Sequence, residues 1–268
     1  MAEIRRFARK DIMDLLNALI LGIVQGVSEF LPISSTGHLI LTSHLLGLAH
    51  TDFLKSFEIS IQLGSILSVV ILYWRSLLVD FEVIKRVAVA FLPTGVLGLT
   101  LYRIVKQYLL GSEHIVLWSL FIGGILLILF ERWHTEKREI VPEISRMSYK
   151  TAFIIGIFQS IAMIPGVSRS ASTIIGGLVM GIKRKTIVEF SFMLAVPTML
   201  AATAYDLIKS ASVISVGEVD FLIVGFVSSF IVALLSIKFL IHFIKTHTFV
   251  PFGIYRILFA LGWLLMMR

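Results

Sequence analysis

Two stretches of this chain repeat one pattern, and they limit its fold more than any other feature. Gly22-Ile-Val-Gln25-Gly-Val-Ser-Glu29-Phe-Leu-Pro32-Ile-Ser34-Ser35-Thr36-Gly37-His38 and Gly156-Ile-Phe-Gln159-Ser-Ile-Ala-Met-Ile-Pro165-Gly166-Val-Ser168-Arg169-Ser170-Ala-Ser172-Thr173 each cut long apolar sequence with proline, glycine and hydroxyls. Gly22 and Gly156, Ile23 and Ile157, and Gln25 and Gln159 share one offset; a one-residue slip then aligns Pro32 with Pro165 and Ser35 with Ser168. Inside a bilayer such breaks strand backbone N–H and C=O groups unless they are buried in protein or line a wet cavity. Polar breaks at corresponding positions of two halves point to the binding site of a membrane protein. Function is therefore expected where the two breaks meet.

The rest of the chain is apolar enough to call for a membrane. Of its 268 residues 57% are hydrophobic and 15% charged, against about 25% charged in an average soluble domain. The absence of cysteine excludes a disulfide framework, a thiolate metal site and a cysteine nucleophile. The net charge of +7 comes from Lys and Arg set between apolar runs, as loop charges facing anionic lipid are. No basic stripe of the kind that tracks nucleic acid is present, so nucleic acid is not an expected partner. Arg5, Arg6, Arg9 and Lys10 precede the first apolar run without a small-residue cleavage site after it. This segment reads as mature sequence, an amphipathic lead-in at the membrane surface.

Leu15 to Leu31 offers one crossing's worth of helix, but Pro32 stops it. Leu39 to Leu48, after the break, is too short to cross a core of about 30 Å. A helix that enters, breaks and returns to its own face fits better than two crossings. Runs of crossing length follow at Phe53 to Trp74, Val83 to Ile104 and Ile115 to Trp133, and the charged loop from His134 to Lys150 closes the first half. The second half repeats the plan: Thr151 to Ile164 breaks at Pro165-Gly166, Ala171 to Ile182 returns, and spans are expected at Val188 to Ile208, Val219 to Phe243 and Phe249 to Met267. The expected fold is all-α and polytopic, a single membrane domain with six transmembrane helices and two re-entrant helical pairs in two repeats, near 15–134 and 149–268. An odd number of crossings per half makes the second repeat inverted relative to the first. One face then gathers Arg75, Lys85, Arg86, Arg132, Lys137, Arg138, Arg146, Lys150, Lys183, Arg184, Lys185 and Lys245. The positive-inside rule makes it the cytoplasmic face, with both termini outside; the basic N-terminus runs against this.

Gln25 and Glu29, four residues apart, share a helix face. A carboxylate at the centre of a span costs at least about 2.5 kcal/mol to insert, so Glu29 reads as a metal ligand or proton acceptor more readily than as a structural contact. Ser34, Ser35 and Thr36, just after Pro32, can cap a helix and can also form an anion site with the helix's own N–H groups. His38, three residues after Ser35, is within reach of a hydroxyl or water as a base, although a lone histidine is more often a packed, hydrogen-bonded ring. Arg169 sits at the tip of the second break, where a guanidinium requires an anion. Glu29 could supply it; the hydroxyls of Ser168, Ser170, Ser172 and Thr173 around it favour phosphate. Glu58, Gln62, Glu189 and Asp206 are weaker signals, suited to pairing within the bundle.

Taken together, Gln25 to His38 and Pro165 to Thr173 closely resemble the paired motifs of the bacitracin-resistance type of undecaprenyl-diphosphatase, and the likeness covers essentially the whole chain. The resemblance implies an integral enzyme of the bacterial inner membrane that removes the terminal phosphate of undecaprenyl diphosphate, regenerating the lipid carrier of peptidoglycan synthesis. It implies a site that opens to the periplasm or exterior. Glu29, Ser35, His38 and Arg169 are then expected to be catalytic, and Ser34, Thr36, Ser168, Arg169, Ser170 and Thr173 to bind phosphate. Gln25 and Glu29 would help to hold a divalent metal, Mg2+ or Ca2+; glutamine at the first of these positions leaves one carboxylate. Either Ser35 attacks phosphorus with His38 as base, or His38 activates a water. The rival from another class is a transporter or flippase for a polyprenyl phosphate lipid, which would use the same broken helices. Membrane lipid is an expected partner, and a homodimer is left open.

Overall fold

The computed structural model describes residues 13–49, 51–104, 112–134, 142–210 and 218–266. The N-terminal lead-in expected at Arg5 to Lys10 lies outside them. The described chain is helical: α1 Leu15–Ser28, α2 Ser35–Leu45, α3 Asp52–Leu72, α4 Trp74–Leu78, α5 Phe81–Ile104, α6 Glu113–Trp133, α7 Tyr149–Ser160, α8 Arg169–Val179, α9 Arg184–Ser210, α10 Val219–Phe243 and α11 Val250–Met266. The starts are written in the sequence. Asp14, Thr51, Ser112, Ser148 and Ser168 each accept a backbone N–H of the first turn that follows, which satisfies donors a helix cannot pair internally.

Among the described residues five helices are long and apolar enough to cross a membrane, over Asp52–Leu72, Phe81–Leu101, Glu113–Trp133, Arg184–Ala204 and Val219–Phe243. They fall on the five expected spans to within a few residues, and they make this a polytopic membrane protein. The segment expected as a sixth span forms α11, 17 residues long and shorter than those five. The pairs α1–α2 and α7–α8 consist of helices of 14, 11, 12 and 11 residues. At a rise of about 1.5 Å per residue the longest of these reaches about 21 Å, so none crosses a bilayer alone.

Packing runs between the chain's halves as well as within them. α1 lies against α10 and α7 against α5, while α3 packs on α9 and α6 on α11. Small residues make the first two contacts. A Cβ on Gly22 would stand 2.6 Å from the Gly225 carbonyl oxygen, and one on Gly156 would stand 2.0 Å from that of Ala90. Close approach of backbones is the usual basis of helix association where lipid removes the hydrophobic drive. α10 shows the resulting pattern: Gly225, Ser229, Ala233 and Ser236 are buried, whereas Ile223, Val227, Ile231, Leu235 and Phe239 are exposed. A helix that turns its large apolar side chains outward is built for hydrocarbon.

The first break lies in the largest core cluster of the described residues. Phe30, Leu31 and Ile33 pack there with Ile174, Phe190 and Phe192, and Phe30 meets Phe192 edge to face at a centroid distance of 5.3 Å. Two of the arginines near helix ends are tied down locally. Arg86 donates to the Met147 carbonyl and pairs with Glu82; Arg184 pairs with the buried Glu131, which also accepts the Phe249 N–H at 3.2 Å.

Candidate active site

α1 stops at Ser28, and the chain turns through Glu29, Phe30, Leu31, Pro32 and Ile33 before α2 begins. Proline has no N–H to continue the helix and restricts the residue before it, so the carboxylate of Glu29 is left at a helix end inside the protein. In the second half Ile164, Pro165, Gly166 and Val167 make the corresponding turn, with Gly166 at φ 88°. A side chain there would be strained by that φ, and its Cβ would stand 2.5 Å from the Val116 carbonyl oxygen. α2 and α8 thus begin at the two tips, where their unpaired N–H groups and positive dipole ends favour an anion.

The two tips meet. Arg169 Nη2 donates to Glu29 Oε1 at 2.9 Å, across 140 residues of sequence. The other oxygen, Oε2, accepts the Gln25 amide at 2.9 Å and the Ser35 hydroxyl at 2.7 Å. Arg169 Nη1 donates to the Ser191 carbonyl at 2.8 Å, and its Nε is buried without a hydrogen-bond partner. Burying this pair costs desolvation that attraction alone repays only when the remaining polar atoms are satisfied. Glu29 has that satisfaction and Arg169 keeps one unsatisfied donor.

Beside the pair lies a cavity of about 180 Å³ lined by Glu29, Ser34, Ser35, Thr36, Gln62, Ala162, Val167, Ser168, Arg169, Thr198, Met199 and Ala202. Whole small-molecule sites are usually about 300–1,000 Å³, so this one has room for a polar head group rather than for a long lipid. Its lining combines the hydroxyls and charged groups of the two tips with the apolar Ala162, Val167, Met199 and Ala202.

Of the residues singled out from sequence, Glu29, Ser34, Ser35, Thr36, Ser168 and Arg169 line the cavity together. Gln25, 1% exposed, supports Glu29 from behind. Ser170 and Thr173 do not reach the cavity. The Ser170 hydroxyl ties α8 to the first tip by donating to the Phe30 carbonyl at 2.8 Å, and that of Thr173 bonds back to Arg169 within the helix. His38 stands apart from Ser35. Its Nδ1 is 2.7 Å from the Ser34 carbonyl oxygen and its Nε2 is 2.8 Å from the Tyr255 hydroxyl, with the ring stacked on Phe259 at 4.3 Å. A carbonyl only accepts, so in the neutral ring Nδ1 carries the proton and Nε2 accepts from Tyr255.

That carbonyl belongs to a strained residue. Ser34 has φ 75° and ψ 96°, the one positive φ outside glycine among the described residues. Such conformations cost about 1–3 kcal/mol and persist where surroundings hold them; here His38 does so. As for metal binding, no group of three or more His, Cys, Asp or Glu is found among the described residues. The lining offers one carboxylate, Glu29, beside hydroxyl oxygens, too few anionic donors for an all-protein cation cage.

Residues 18–262 match the family described as Bacitracin resistance protein BacA. The chain belongs to this family. Among curated relatives, an undecaprenyl-diphosphatase of Aquifex aeolicus (strain VF5) is 56% identical over 244 residues, covering 91% of this chain and 95% of that protein. An undecaprenyl-diphosphatase of Sulfurihydrogenibium sp. (strain YO3AOP1) is 55% identical, covering 93% and 98%, and one of Wolinella succinogenes is 50% identical, covering 93% and 96%.

From sequence Gln62 reads as a bundle contact, whereas Thr198, Tyr255 and Arg256 come into view only in the fold. Gln62 carried the signal of a polar residue in an apolar span, and Arg256 the stronger signal of a cation in one. Tyr255 and Thr198 carried none, because a tyrosine or threonine is ordinary in a transmembrane helix.

Proposed function

We infer that the protein is an enzyme that hydrolyses undecaprenyl diphosphate to undecaprenyl phosphate and inorganic phosphate. It returns the lipid carrier to peptidoglycan and other cell-wall synthesis, and it confers bacitracin resistance by drawing down the diphosphate lipid. The observation that carries this reading is the 2.9 Å contact of Arg169 with Glu29, which sets the family's two motifs around one cavity together with Ser35.

An incoming diphosphate offers Arg169 a doubly bonded partner better than the single contact it makes with Glu29. The guanidinium, with the N–H groups at the starts of α2 and α8, then grips the phosphate, and Glu29 is left with Gln25 and Ser35. Ser35 is the hydroxyl placed to react, since it lines the cavity and points its proton at Glu29 Oε2. Its Oγ forms a bond to the terminal phosphorus as the bridging P–O bond breaks; Glu29 takes the proton, and undecaprenyl phosphate leaves. Water then cleaves the phosphoserine to inorganic phosphate. Glu29, steadied from behind by Gln25, would hold Mg2+ or Ca2+ together with the phosphate oxygens, and the bound ion would offset charge on the leaving phosphate. His38 serves this scheme through Ser34, by holding the strained turn from which α2 starts.

The protein is proposed to span the bacterial inner membrane with six crossings, α11 being the sixth, and with α1–α2 and α7–α8 as re-entrant pairs of inverted repeats. The exchanged contacts support it, α1 on α10 and α7 on α5, each closing over a glycine of the repeated motif. The basic loop residues that the sequence assigns to one face, Arg86 and Arg184 among them, support placing that end in the cytoplasm and the site toward the periplasm.

Detergent-purified protein is expected to release phosphate from undecaprenyl diphosphate, and EDTA is expected to suppress that release, with recovery on added Mg2+ or Ca2+. Folded protein that releases none, yet moves the lipid between leaflets of a vesicle, would replace the enzyme by a carrier.

A further inference from the structure

Arg256 is the largest fully buried side chain of the described protein, 1% exposed in the middle of α11. Its charge meets no carboxylate among the described residues, and its hydrogen bonds there all go to backbone carbonyls. Nη2 donates to Ser119 at 3.0 Å and to Gly166 at 3.1 Å, Nε to Leu120 at 3.3 Å, and Nη1 to Pro32 at the long distance of 3.5 Å. Ser119 and Leu120 lie in α6. Pro32 belongs to the first tip and Gly166 to the second, at the left-handed turn described above.

One side chain therefore reaches both breaks, from a helix that contributes nothing to the cavity lining. A buried cation without a counter-ion is expensive. Lysine presents a point charge on a flexible stem, whereas the rigid fork of arginine can span several acceptors at fixed angles. Space has been left for that fork: a Cβ on Gly123 would stand 2.2 Å from Nη2. The neighbouring Tyr255 acts on the same loop through His38 and Ser34. Pro32 and Gly166 lie three residues before Ser35 and Arg169 respectively.

We propose that Arg256 is a positioning residue for hydrolysis: its guanidinium binds the carbonyls of both tips and so sets Ser35 and Arg169 in register across the cavity. The proposal rests on the hydrolase reading for its kinetic consequence, but the clasp itself can be observed without activity. The geometry also leaves an unneutralised positive charge behind the tips, which favours a polyanion in front of them.

The test compares full-length wild type with Arg256→Lys, by kinetics on undecaprenyl diphosphate and by hydrogen exchange of backbone amides. A misplacement of about 1 Å can cost about a hundredfold in rate, so kcat is expected to fall about that far while KM stays within about threefold. Amides of residues 29–38 and 164–170 are expected to exchange about tenfold faster, with those of α10 unchanged. Wild-type kcat with unchanged exchange at the tips would overturn the proposal. So would faster exchange spread evenly over all helices with kcat per folded molecule intact, the signature of a merely structural staple. Should Arg256→Lys fail to fold, Gly123→Ala keeps the charge but displaces the fork, and the same two readouts decide. If wild type itself hydrolyses nothing, the hydrolase reading fails and exchange alone decides the clasp.

Discussion

Arg169→Ala is expected to lower phosphate release from undecaprenyl diphosphate by about a thousandfold or more, the scale on which an arginine aimed at a transferring phosphoryl group acts. Two losses combine. The phosphate loses its bidentate partner, and Glu29, whose side chain is 3% exposed, loses the charge that balances it. Leaving one member of a buried pair alone costs about 3–5 kcal/mol of stability, so the melting temperature is expected to fall as well. Arg169→Lys separates the two effects. The ammonium still balances Glu29, and stability is expected to recover more than activity, because a point charge cannot bond two phosphate oxygens in one plane. Equal recovery of both would mean that Arg169 only neutralises Glu29.

Ser35→Ala is the second large effect, a loss in kcat of at least about a thousandfold with KM and melting temperature nearly unchanged. The hydroxyl is small and lines the cavity, and its removal costs Glu29 one of three hydrogen bonds. Wild type given undecaprenyl diphosphate labelled in the terminal phosphate, then quenched in acid, is expected to carry label on the peptide containing Ser35. An unlabelled peptide with a loss of only about tenfold would make Ser35 an orienting group and a water the nucleophile.

The parts of this molecule that could be read from sequence share a physical cause. A proline between apolar runs, a carboxylate one turn from a glutamine, and an arginine flanked by serines are each costly in a bilayer unless used. Their cost makes them visible, and the structure places Glu29, Ser35 and Arg169 together. Spans were legible from length alone. What escaped was pairing between distant segments. Nothing in Ser170 says that its hydroxyl bonds the Phe30 carbonyl rather than lining the cavity, since a serine in a first helical turn can do either. His38 follows Ser35 by three residues, a spacing that suits proton transfer, yet the left-handed φ of Ser34 and the hydroxyl of Tyr255 turn the ring elsewhere. Partners supplied by α11 have no local signature in the motif they serve.

Two breaks 140 residues apart are proposed to make one site. The most direct test is phosphate release from undecaprenyl diphosphate by Glu29→Asp, Arg169→Lys and the double variant, conservative changes that keep rates measurable. Groups that work as a unit lose their joint contribution once. The double variant is therefore predicted to be no slower than the slower single variant, to within about threefold. Losses that multiply would contradict the account, because they would mean that Glu29 and Arg169 act on the reaction separately.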